Sequence, residues 1–166
     1  MGSPASREEL VQTWEEVLRD PSLQNLPYKI ELNAWRKIEM SPARARNARV
    51  RAYITVELGR QLPHGIVFTG CPILTEIGLR VPNVAWASQE FMKMHGSEDV
   101  FLTAPEICVE LTTPWSTKAE ITEKTRAYLY AGAQEVWIAT EAGELHFFDS
   151  TGERPASRFG VTLRLP

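Results

Sequence analysis

Between Glu106 and Thr140 the chain runs strand, short loop, long helix, strand, and no other stretch restricts the fold as much. Glu106–Thr113 is rich in β-forming residues, Pro114-Trp115 breaks it, Ser116–Ala131 has helical composition closed by Gly132, and Glu135–Thr140 returns to strand. A strand and a helix joined by so short a loop are close neighbours in space. Around this unit the sequence predicts an amphipathic helix over Ser6–Leu18, ended by Asp20-Pro21. Strands follow over Tyr28–Leu32 and Arg36–Met40, with Asn33-Ala34 as the turn. A long helix over Ala43–Leu62 is opened by Ser41-Pro42 and closed by Pro63 and Gly65. Ile66–Thr75 reads as a strand region broken near Pro72, Val81–Ala87 as a strand, and Ser88–Met94 as a helical turn inside a long loop. Glu144–Phe148 and Val161–Leu165 complete the strands, with turns at Ala142-Gly143 and Thr151-Gly152. The order α-β-β-α-β-β-β-α-β-β-β predicts an α+β or mixed α/β fold, a sheet with helices packed on it.

Composition narrows the function classes. The 166 residues suit one domain, 1–166, with residues 1–5 set aside as a tail or cloning remnant. No apolar run approaches the roughly 20 residues of a membrane span, and no basic, apolar leader opens the chain, so a cytoplasmic protein is expected. Cys71 and Cys108 are too few for a disulfide framework or a thiolate zinc site and read as buried thiols. His64, His95 and His146 lack metal-ligand spacing. A net charge of −3 argues against a chain coated in nucleic-acid-binding surface but leaves room for a local basic patch.

The informative residues are polar groups on faces that should be buried. On the helix Ser116–Ala131, Ile121, Lys124, Tyr128 and Ala131 share the inward stripe. A buried ammonium there must meet an acid or snorkel outward. In the preceding strand Glu110 stands between Val109 and Leu111; it needs a cation, ammonium or metal, unless that face is solvated. Connectivity lets Glu110 and Lys124 meet. Asn83 follows Pro82 at the start of an apolar strand, as a turn residue or something more. Glu39 precedes Met40-Ser41-Pro42, where a cap or a surface role is the simpler reading. In the long helix Asn47 falls on the apolar stripe of Ala43, Val50, Ile54 and Leu58. Arg44, Arg46, Arg49, Arg51 and Arg60 lie on its other sides, where they can be a solvated face or phosphate contacts. Trp35, Trp86 and Trp137 read as core or sheet-face residues. Trp115 follows a proline in the loop near Glu110, and exposure there would point to stacking.

Together these segments resemble a known family. Glu39-Met40-Ser41-Pro42, Asn47, Val81-Pro82-Asn83-Val84, Pro105-Glu106-Ile107-Cys108-Val109-Glu110-Leu111 and Glu123-Lys124 … Tyr128 … Ala131-Gly132-Ala133-Gln134-Glu135-Val136-Trp137-Ile138 are similar to the bacterial "putative restriction endonuclease" family of the PD-(D/E)XK nuclease superfamily. The resemblance runs from about Leu10 to Leu165. It implies a restriction-endonuclease-like core, a mixed sheet flanked by helices, with the site at one edge. It also implies Mg²⁺ or Mn²⁺, phosphodiester hydrolysis in DNA, a homodimer, and neither membrane nor small-molecule cofactor. Carried over, Glu110 is a metal-binding carboxylate, Leu111 offers its backbone carbonyl, Lys124 positions the attacking water, and Glu39 matches an early acidic position. Arg44, Arg46, Arg49 and Arg51 would meet the nucleic-acid backbone.

The sequence departs from the pattern twice. The aspartate after proline is Asn83, and a histidine of the long helix is Asn47. Mg²⁺ prefers anionic oxygens, so an amide at position 83 weakens the site. At an effective dielectric of about 20, one unit charge beside the ion is worth several kcal/mol. Two outcomes follow: a Mg²⁺-dependent endonuclease with an atypical ligand, or a catalytically degenerate nuclease fold that binds nucleic acid or protein.

Overall fold

The computed structural model describes residues 2–166. Helix α1 (Arg7–Arg19) starts at a capping box: Ser6 Oγ accepts the Glu9 N–H, and the Glu9 carboxylate accepts the Ser6 N–H. Its Leu10, Trp14 and Val17 are buried against Leu32, Leu74, Leu79 and Val81. Strands β1 (Tyr28–Asn33) and β2 (Ile38–Pro42) form a hairpin. Asn33 Oδ1 closes it by accepting the N–H groups of Trp35 and Lys37. Helix α2 (Ala45–Gln61) buries Val50, Ile54 and Leu58. Ala43, expected on that stripe, lies outside the helix and is exposed.

After α2 come β3 (Gly65–Phe68), β4 (Ile73–Thr75), β5 (Gly78–Arg80) and β6 (Val84–Ser88), then α3 (Gln89–His95) and β7 (Ile107–Leu111). The chain ends with α4 (Lys118–Tyr130), β8 (Glu135–Ala139), β9 (Leu145–Asp149) and β10 (Gly152–Arg154). The fold is mixed α and β, as expected, but its strands form two sheets rather than one. A four-stranded antiparallel sheet has the order β2-β1-β5-β4, and a six-stranded sheet the order β10-β9-β8-β7-β6-β3. The region read as one broken strand, Ile66–Thr75, splits between them: β3 joins the large sheet and β4 the small one. Gly78 opens β5 at φ +115°, and a Cβ there would collide with the Leu32 carbonyl of β1.

Only β7 and β8 run parallel in the large sheet, and α4 makes their crossover. A capping box of Thr117 and Glu120 starts α4. It ends where Gly132, at φ +120°, lets the Gly132 and Ala133 N–H groups return to the carbonyls of Leu129 and Tyr128. The alternation of β7 sorts its side chains: Val109 and Leu111 pack with α2, and Cys108 packs with Tyr128 of α4.

Two expectations fail here. Val161–Leu165 is not a strand. Val161, Leu163 and Leu165 do alternate into the core beneath α2, but the Thr162 backbone bonds the Gln61 side chain and no neighbouring strand. The period of two was real; the ladder was not. Trp35 is no core residue either: it is 46% exposed at the hairpin tip, where its Nε1–H donates to the Gly2 carbonyl. Trp86 and Trp137 are buried, as are both cysteines, which are unpaired. No described helix is long and apolar enough to cross a membrane.

Candidate active site

The two sheets meet where the chain passes from β5 to β6, over Val81-Pro82-Asn83, and the polar centre lies at that seam. Glu31 comes from β1, Glu110 from β7 and Lys124 from α4. Glu31 is only 3% exposed and Glu110 only 7%. Carboxylates so deep require donors. Lys124 Nζ lies 2.8 Å and 3.1 Å from the two oxygens of Glu31 and 3.6 Å from Glu110 Oε1. The Val81 N–H donates to Glu31 Oε2 at 2.8 Å. Glu110 accepts the Tyr128 hydroxyl at 2.7 Å on one oxygen and Lys29 Nζ at 3.3 Å on the other. Arg80, 8% exposed, bonds Glu39 Oε2 at 3.1 Å and stands 3.9 Å from Glu31.

The meeting of Glu110 with Lys124 follows the reading of the sequence, and Lys124 is held between acids instead of snorkelling outward. Glu39 stands opposite Glu31 in the β1–β2 register, bonds Arg80 and is half exposed. Asn83 sits across from Glu110 when the Val84↔Val109 register is continued by one residue. Its Oδ1 accepts the Leu111 N–H at 3.0 Å, so it fastens the seam to β7. Asn47 reaches the end of that strand, with Nδ2 donating to the Thr112 carbonyl at 3.4 Å. Arg44, just before α2, pairs bidentately with Glu141, at 2.8 and 2.9 Å, and Arg46 on α2 lies 3.7 Å from the same carboxylate; Arg49 and Arg51 are exposed.

Glu31, Lys29 and Arg80 were missed. The signal for Glu31 was present: it stands between Ile30 and Leu32 of a strand, as Glu110 stands between Val109 and Leu111. Lys29 shares its face, and its partner comes from the other sheet, which no local pattern reveals.

The electrostatics follow from this packing. Burial pushes the Glu31 carboxyl up, but the charges of Lys29 and Lys124 and the hydrogen bonds from Lys124 and Val81 outweigh it and hold the group below its ordinary value. Burial pulls the Lys124 ammonium down, and Glu110 and Glu31 together raise it above the usual lysine value. Burial drives the Tyr128 phenol well above its ordinary value, reinforced by the negative charges of Glu110 and Glu31. Three carboxylates thus face three cations. A cavity of about 880 Å³ opens over them, bounded by the β1–β2 hairpin, α2 and the loop from β7 to α4.

The model of the Uma2 family, described as "Putative restriction endonuclease", matches residues 14–165. The chain belongs to this family. Among solved structures it is similar to one described as a "putative nuclease belonging to DUF820" from Anabaena variabilis. The identity is 17% and the TM-score 0.67, over 91% of this chain and 92% of that one. The likeness is one of fold. No curated protein matches.

Families of restriction-endonuclease type use divalent metals, and the residues present here test poorly for one. Among the described residues no three acids, histidines or cysteines are placed so that they could hold one ion together. Every oxygen of Glu31 and Glu110 already holds a donor, and the cations cancel the carboxylates. Asn83, across from Glu110, brings no charge and spends its oxygen on Leu111. This donor set does not fit a divalent cation.

Proposed function

We propose that this chain is a nuclease-fold protein that binds nucleic acid at the cavity and has lost Mg²⁺-dependent hydrolysis. The observation that carries the reading is the charge balance of the centre. Lys29, Arg80 and Lys124 match Glu31, Glu39 and Glu110, and the residue able to tip the balance toward a metal is an amide. Nucleic acid as the ligand is supported by the family and by the exposed arginines Arg49 and Arg51 on α2. Arg51 borders the cavity. Such side chains contact phosphates irrespective of sequence. Arg44 contributes less, because it is committed to the bidentate pair with Glu141, whose single charge leaves Arg46 only partly compensated.

A second reading is a Mg²⁺-dependent endonuclease working as a homodimer on duplex DNA. It draws on one observation: two buried acids and a lysine from three separate elements converge in an open cavity. One experiment separates the two readings. The protein is titrated with Mg²⁺ and with Mn²⁺ by calorimetry, then incubated with labelled single-stranded and duplex DNA with chelator or metal. The expected result is DNA binding that survives the chelator, no saturable metal heat and no cleavage. Saturable metal binding lost in Glu110→Ala, or cleavage lost in Lys124→Ala, overturns the first reading for the second. Absence of DNA binding at low salt overturns nucleic acid as the ligand.

A further inference from the structure

The loop from β7 to α4 holds an aromatic side chain that the centre does not use. Trp115 is 66% exposed, yet it borders the cavity and its backbone is fixed. Thr113-Pro114-Trp115-Ser116 is a tight turn with proline at its second position. The Ser116 N–H donates to the Thr113 carbonyl at 3.1 Å, and the Thr113 N–H donates to Ser116 Oγ at 2.9 Å. Thr112, next in line, is tied to β8 and its following loop: its N–H reaches the Ala139 carbonyl, and its hydroxyl accepts the Glu141 N–H.

The ring is also supported. The Arg44 guanidinium lies 5.5 Å from the ring centroid, and the bidentate pair with Glu141 holds that guanidinium in place. Folding has therefore braced an indole on a cationic support and left most of its surface to solvent, at the mouth of the cavity. Packing cannot explain this, since the ring buries little. A planar apolar surface held rigid beside buried charged groups suits a flat, π-rich ligand whose backbone carries phosphate.

We infer that Trp115 is a stacking platform for an unpaired nucleobase, so the cavity selects single-stranded nucleic acid over duplex. Inside a duplex both faces of a base are covered by its neighbours, and the indole can reach only a base whose face is free. The inference rests on the reading of the cavity as a nucleic-acid site and adds the class of substrate to it.

The test compares binding of a single-stranded DNA and of its duplex, at one fixed salt concentration, to the wild type, Trp115→Ala, Trp115→Phe and Trp35→Phe. Circular dichroism checks that each variant is folded. The wild type is expected to bind the single strand more tightly. Trp115→Ala should weaken single-strand binding about tenfold to a hundredfold and duplex binding far less. Trp115→Phe keeps most of the affinity, and Trp35→Phe, at a residue that does not line the cavity, keeps all of it. A wild type that binds DNA, with Trp115→Ala changing both forms equally or neither, overturns the platform and leaves the nucleic-acid reading standing. A wild type that binds neither form overturns that reading, and the platform with it.

Discussion

One ammonium bridges two buried carboxylates from different sheets: Lys124 Nζ lies 2.8 Å from Glu31 on β1 and 3.6 Å from Glu110 on β7. Removing one partner of a buried ion pair costs about 3 to 5 kcal/mol, because the remaining charge is stranded. Here solvent reaches part of Lys124, and Lys29 and Arg80 remain, so Lys124→Met should cost about 2 kcal/mol. For a chain of this size that lowers Tm by about 4 to 8 °C. Scanning calorimetry reads the shift, and Glu31→Gln combined with Lys124→Met should recover part of it. An unchanged Tm would show that the bridge contributes nothing.

Acid should loosen the fold through Glu31. Its pKa is lower folded than unfolded, so its contribution is complete above the unfolded value, near 4.5, and is lost as pH falls through the lower folded value. Thermal midpoints measured downward from pH 6 should hold until about pH 4.5 and then fall. Glu31→Gln should flatten that descent. Lys124 acts at the opposite end: raised above its usual value, it stabilises below about pH 10.5 and loses that effect in stronger alkali.

Asn83→Asp should restore the missing charge. The new carboxylate lies across from Glu110 and can still accept the Leu111 N–H. Several kcal/mol of attraction for a divalent ion become available. Calorimetry should show saturable Mn²⁺ binding in this variant, at least about tenfold tighter than in the wild type and abolished by adding Glu110→Ala. No gain would mean that charge at position 83 does not govern the centre.

The two thiols should be silent. Burial pushes Cys71 up to about 12 and Cys108 well above its ordinary value. At pH 8 an alkylating reagent should label neither in the native protein and both after denaturation, as mass spectrometry would read. Labelling of native Cys71 would show that its pocket opens.

How much of this was legible in the sequence depended on distance along the chain. The β7–α4–β8 unit and the pairing of Glu110 with Lys124 were readable because one short loop joins their elements. Glu31 carries the same local signature as Glu110, and only its remoteness kept it out of the site. The division into two sheets was not readable: β4 and β5 have three residues each, too short for a periodicity, and β1, the strand that β5 joins, lies far back in the sequence. At Val161–Leu165 the pattern was read correctly and misassigned, since alternation records which side is buried and not what the backbone bonds to.

The seam position of the centre has a consequence for how it fails. Glu31 belongs to a small sheet whose outer strand β2 is exposed along its whole length, and Glu110 to a six-stranded sheet covered by α2 and α4. A small sheet with an exposed outer strand should open at the lower cost. On warming, the two carboxylates should part company while the large sheet is still intact. The centre would then have a melting temperature of its own, below that of the molecule that carries it.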